Sequence, residues 1–246
     1  EPRVFQSRRR RHRPRRGGGR GDKRAASGRW GKAKVGVQLN AIAMWLYTGA
    51  WSAFVLGVLS RFVTIDLAIA LLRLFSILML GSWVVATIGY GFTVVTPGGG
   101  AALPLGITSL ALGAVVLLTI LIQMSTFWGG MALGIFGMRA MGNIMFLILA
   151  CELGRLCVFG IYQWAVCKSM REDGHAGACL AVGITLPSVF FGGALLFVVI
   201  VRMTRSGTVA GILGLLWAGA IIGISAWYAV VTGTTKNLME YGKPRR

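Results

Sequence analysis

Runs of roughly twenty apolar residues, repeated along most of this chain and parted by short polar turns, restrict its fold more than any other feature. In hydrocarbon each backbone N–H and C=O has to be satisfied inside its own segment, so such runs fold as helices. Six spans are expected, at about 36–60, 74–95, 103–124, 140–167, 176–201 and 208–231. The expected class is all-α: a polytopic integral membrane protein whose six-span compact bundle occupies 35–233. A disordered Arg/Gly-rich arm over 1–34 precedes it, and a short basic tail over 234–246 follows.

Composition agrees with that class. Hydrophobic residues make up 55% of the 246 positions, charged residues only 13%, and the mean hydropathy is +0.70. Soluble domains carry about 25% charged residues.

The fourth run contains the sharpest local anomaly, because Glu152 and Arg155 stand three residues apart near its middle. Residues at that spacing share a helix face, and ionisable groups at membrane depth avoid lipid. The pair is therefore expected to be buried and hydrogen-bonded, as an internal helix lock rather than a catalytic or proton-relay site. The alternative is a small-solute or ion transporter or channel built around Glu152 and Arg155, with Asn143 and Gln163 as further polar groups.

Net charge is +19, and 14 of the 26 Lys and Arg lie in residues 1–34. A run of Arg broken by Pro14 and three successive Gly has no apolar surface with which to offset the entropy of ordering. Arg8, Arg9, Arg10, Arg11, Arg13, Arg15, Arg16 and Arg20 form the expected tether. Its candidate partners are an acidic protein surface, anionic lipid headgroups or nucleic acid phosphates. No Phe or Tyr is interleaved with the arginines to stack on bases, which weakens the nucleic acid reading. The opening Glu1 fits a processed product or a fragment.

With six spans both termini share one side, which collects the basic arm, Lys168, Arg171, Lys236 and the terminal Lys and Arg. The opposite side holds Arg61, Arg73, Arg139, Arg202 and Arg205. The positive-inside rule then places the termini in the cytoplasm or its organellar equivalent, and an organelle membrane fits the Arg-rich start.

Several residues carry expectations about packing. Gly130 and Gly134, Gly207 and Gly211, and Gly219 and Gly223 have the small-xxx-small spacing that lets helix backbones approach, within this chain or between chains. Pro187 sits inside the fifth span and is expected to kink it. Trp45 and Trp51 are expected to touch other helices, and Trp227 and Tyr228 to anchor at the interface. The segment 61–73 is expected to turn and open the second span.

Catalytic chemistry is thinly represented. The chain has two His, and one of them, His12, lies in the basic arm. It contains neither an HExxH nor a GxSxG pattern. The cysteines Cys151, Cys157, Cys167 and Cys179 show no CxxC pairing, so their spacing suggests no zinc site. His175 is expected as an exposed loop residue, and a Cys167–Cys179 disulfide only where its loop faces an oxidising space. No cofactor or metal is assigned. The functional expectation is a non-enzymatic structural, scaffold or assembly subunit of a membrane complex, oligomeric or joined to other membrane subunits.

Overall fold

The computed structural model describes the backbone of residues 20–96, 101–128 and 135–241, and the side chains of 28–96, 101–120 and 147–240. Within them the chain is entirely helical. α1 spans Arg20–Ser60, α2 Ile65–Thr93, α3 Ala102–Trp128, α4 Ile135–Ser169, α5 Asp173–Thr204 and α6 Gly207–Tyr241. Each contains a stretch long and apolar enough to cross a bilayer. The all-α six-helix bundle expected from the apolar runs is the observed architecture.

Consecutive helices pack side by side, and α6 returns to pack on α1, so the bundle closes on itself as a ring. α1 makes its broadest contact with α2 and its next broadest with α6. Lys34 Nζ lies 2.9 Å from a Glu240 carboxylate oxygen, joining the start of α1 to the end of α6 at one end of the bundle.

Helix ends differ from the apolar runs in an instructive way. α1 already includes Arg20, although a disordered arm is expected to reach residue 34; Ala33 is fully buried. α2 opens at Ile65 rather than 74, with exposed Arg73 inside it, and α6 continues to Tyr241. Hydropathy marks only the part of a helix that needs lipid. Lys, Arg, Ala, Met and Glu are good helix formers, and they extend the helix into the polar zone. At 41 residues and about 1.5 Å per residue, α1 is about 60 Å long, twice the hydrocarbon thickness.

The turns are tight. α4 ends at Ser169 and α5 begins at Asp173, so the charged stretch 168–174 belongs largely to helix ends. Arg171 (φ 63°) and Arg205 (φ 51°) take the left-handed conformation that reverses the chain there.

Two crossings bring backbones together. A Cβ placed on Gly36 of α1 would stand 2.6 Å from the Gly89 carbonyl oxygen of α2. Gly160 of α4 meets Gly183 of α5 in the same way, a Cβ on Gly160 falling 2.5 Å from the Gly183 Cα. Pro187 follows Gly183 by one turn and is buried in α5, which runs through it from Asp173 to Thr204. Lacking an N–H, Pro187 cannot bond the Gly183 carbonyl.

The expected close pairs on α6 lie elsewhere. Gly207, Gly211, Gly219 and Gly223 are all exposed, and nothing among the described residues would touch a Cβ on any of them within 4 Å. They form no crossing with the described residues, because the face of α6 that packs on α1, α4 and α5 uses Trp217, Ala218, Ile221, Ser225 and Tyr228. Gly130, Gly134 and Arg8, Arg9, Arg10, Arg11, Arg13, Arg15 and Arg16 lie outside the described residues, as does the side chain of Arg20.

Candidate functional site

The intramembrane charge pair lies on α4 and faces Tyr90 of α2. Glu152 and Arg155 are 5% and 2% exposed, and Arg155 is the largest fully buried side chain among the described residues. Spacing alone sets up their contact, since residues i and i+3 on α4 are surface neighbours. The Arg155 Nη2 group donates to Glu152 Oε1. On its other side the guanidinium carbon stands 5.5 Å from the centre of the Tyr90 ring of α2, a cation–π distance. Tyr90 meets Phe159 edge-on at 5.1 Å, and Phe159 stacks on Tyr162 at 5.6 Å. A carboxylate, an aromatic face and packed rings therefore enclose the only fully buried cation among the described residues.

The lock continues toward α6 through neutral groups. The Tyr228 hydroxyl donates to the Leu156 carbonyl at 3.0 Å, and Gln163 Nε2 donates to Thr232 Oγ1 at 2.8 Å. Thr48 of α1 and Ser225 of α6 bond through their hydroxyls at 3.0 Å, and Ser82 of α2 donates to the Ala43 carbonyl of α1 at 2.8 Å. In lipid such bonds hold helices together where hydrophobicity alone gives no preference for protein over lipid. Tyr228 is thus a core residue, not an interface anchor; its hydroxyl is consumed inside the bundle. Trp227, by contrast, is exposed.

Three polar atoms of this region have no hydrogen-bond partner among the described residues: Glu152 Oε2, Arg155 Nε and Gln163 Oε1. Asn143, expected near them, has no described side chain. Trp51 does contact other helices, its ring lying within 6.3 Å of those of Phe75, Phe190 and Trp217. Trp45 is exposed instead. An apolar cavity of about 270 Å³ opens between α1, α5 and α6, bounded by Trp51, Phe54, Phe197, Gly211, Gly214 and Trp217. It presents no charged group.

A second cluster was not legible from residue spacing. Cys167, in the last turn of α4, and Cys179 of α5 are both fully buried, and their sulfurs stand 3.9 Å apart as free thiols. His175, expected in an exposed loop, lies in the first turn of α5 and is half-buried; its Nε2 is 2.9 Å from the Thr235 hydroxyl of α6. The sulfurs and an imidazole nitrogen all lie within 4.8 Å of one another. The one signal available in sequence was the interval from His175 to Cys179, four residues that place both on one helix face. Cys167 joins them only through the tight α4–α5 turn.

Fold and core together define the class: an integral multi-pass membrane protein, a ring of six helices with a buried ion pair on α4 and several interhelical hydrogen bonds. Comparisons with protein-family models, with curated proteins and with solved structures give no significant match.

Proposed function

We propose that the protein is a non-enzymatic structural or assembly subunit of a membrane complex. The observation that carries this reading is the division of polarity in the bundle. Its buried ions are turned inward upon each other, and its exposed α6 glycines leave smooth strips facing outward. Exposed small residues at four-residue spacing are surfaces on which another transmembrane helix can lie closely. In this reading the partner is a transmembrane helix of another subunit, and both termini face the cytoplasm or its organellar equivalent. The arginines of residues 1–20 tether an acidic protein surface or anionic lipid at about 1 kcal/mol per basic residue near a charged membrane.

The test is native mass spectrometry of the full chain released from its own membrane in lipid nanodiscs. A larger assembly is expected, and Gly219→Leu with Gly223→Leu should disperse it without altering thermal unfolding. A monomer before and after substitution overturns the proposal.

A second reading, transport, is favoured by one observation: the partnerless Glu152 Oε2, Arg155 Nε and Gln163 Oε1 inside the bundle. Proteoliposomes containing the full chain distinguish the two. Ion or solute flux that disappears in Glu152→Gln supports transport, and a tight membrane supports the structural role.

A further inference from the structure

We propose that Cys167, His175 and Cys179 form a zinc site at the end of the bundle where α4 turns into α5. The inference does not depend on the structural role proposed above. Its first support is geometric. Two thiolates bound tetrahedrally at about 2.3 Å from one Zn²⁺ stand about 3.8 Å apart, and the Cys167 and Cys179 sulfurs stand 3.9 Å apart. The imidazole nitrogen completes a triangle whose corners all lie within 4.8 Å. Small rotations about the side-chain bonds bring all three atoms to one ion.

The second support is the polar atom beside them. Thr235 Oγ1 is 2.9 Å from His175 Nε2 and 3.5 Å from Cys179 Sγ. It donates to the Val231 carbonyl at 3.0 Å, which leaves its lone pairs turned to the cluster. A neutral oxygen at that corner, either this hydroxyl or a solvent molecule bound to it, fills the fourth position. Three strong ligands with one weaker one give an ion that remains exchangeable.

Charge selects the metal. The cluster lies among buried side chains, where net charge is costly. Two thiolates, a neutral imidazole and Zn²⁺ sum to zero, whereas the same ligands on Cu⁺ leave a net negative charge; soft thiolates exclude Mg²⁺ and Ca²⁺. Binding releases the two thiol protons and involves no redox change. Access is available at the aqueous end, since His175 is half-buried and the adjoining Lys168–Asp173 pair, 2.7 Å apart, is exposed. The consequence is mechanical, because one ion joins α4 to α5 and, through Thr235, to α6.

The experiment is metal analysis of the full chain purified under reducing conditions from zinc-supplemented cells, together with zinc-edge X-ray absorption. On the order of one zinc per chain is expected, with a shell of two sulfurs and two lighter atoms. His175→Ala, at a half-exposed position that leaves the packing intact, should lower zinc content severalfold, as should Cys179→Ser. Cys151→Ser and Cys157→Ser should leave it unchanged. A zinc-free chain, a Cys167–Cys179 disulfide, copper in place of zinc, or zinc content indifferent to His175→Ala each overturns the proposal. The absorption spectrum reads the ligand set in the wild-type chain, so the proposal stays testable if a cysteine variant fails to fold.

Discussion

Gly160 and Gly183 meet backbone to backbone, so that α4 and α5 touch at a point where neither can carry a side chain. Contact of this kind cannot be relieved by a rotamer change, because the obstructing atoms belong to the main chain. Gly160→Ala or Gly183→Ala should therefore force the helices apart and destabilise the bundle by about 1–3 kcal/mol. Thermal unfolding in detergent reads the loss. Gly219→Ala is the matched control: its surroundings are open, and it should be neutral or slightly stabilising.

Removing one member of the Glu152–Arg155 pair strands a charge in the core. Single replacements, Glu152→Gln and Arg155→Met, should each cost about 3–5 kcal/mol, whereas the double variant should recover much of that loss. A double-mutant cycle on unfolding free energy measures the difference. A double variant less stable than both singles contradicts the internal lock.

The Gln163–Thr232 bond links α4 to α6 at 2.8 Å. In Thr232→Val the Gln163 amide loses its one partner among the described residues, a loss of about 1 kcal/mol on the scale of interhelical bonds in membranes. Adding Gln163→Leu should restore stability, since no buried amide then remains. Equal stability of the single and double variants counts against this account.

Deletion of residues 2–19 removes eight arginines and leaves every described helix intact. Binding of the reconstituted protein to a second, anionic vesicle population should weaken, with the difference fading as salt shortens the screening length to a few Å. The melting temperature should stay constant. Salt-independent binding that survives the deletion rejects the tether.

Arg205 occupies the left-handed position that caps α5, where glycine pays no steric penalty. Arg205→Gly should stabilise the turn by up to about 1 kcal/mol. Protease susceptibility at the α5–α6 connection provides a local readout.

The six crossings were legible in the sequence because hydrocarbon leaves a chain few choices: twenty apolar residues have to become a helix. The burial of Glu152 and Arg155 was legible for the same reason, charge at mid-membrane having nowhere else to go. Partners across helices were not. Tyr90 lies 65 residues from Arg155, and its position over the guanidinium depends on how α2 is rotated. Glycine spacing misled on α6 because a four-residue interval recurs by chance where Gly is abundant. The effective crossings instead pair glycines from different helices, Gly36 with Gly89 and Gly160 with Gly183. Cys167 was unreadable as a neighbour of His175 because the intervening residues look like a loop, yet they fold as two helix ends and a three-residue turn.

Closure of the ring by α1 and α6 has a consequence for biogenesis. A chain made from its N-terminus delivers α1 to the membrane first and α6 last. Until then the bundle is an open arc, its first helix bare along the flank that α6 will cover. Thr48 meets Ser225 only after a further 177 residues have been made. In the interval its hydroxyl has the Met44 carbonyl alone to bond. The seam therefore closes only after α6 has been made, and a nascent chain that stops short of α6 presents a polar notch to lipid that the finished ring hides.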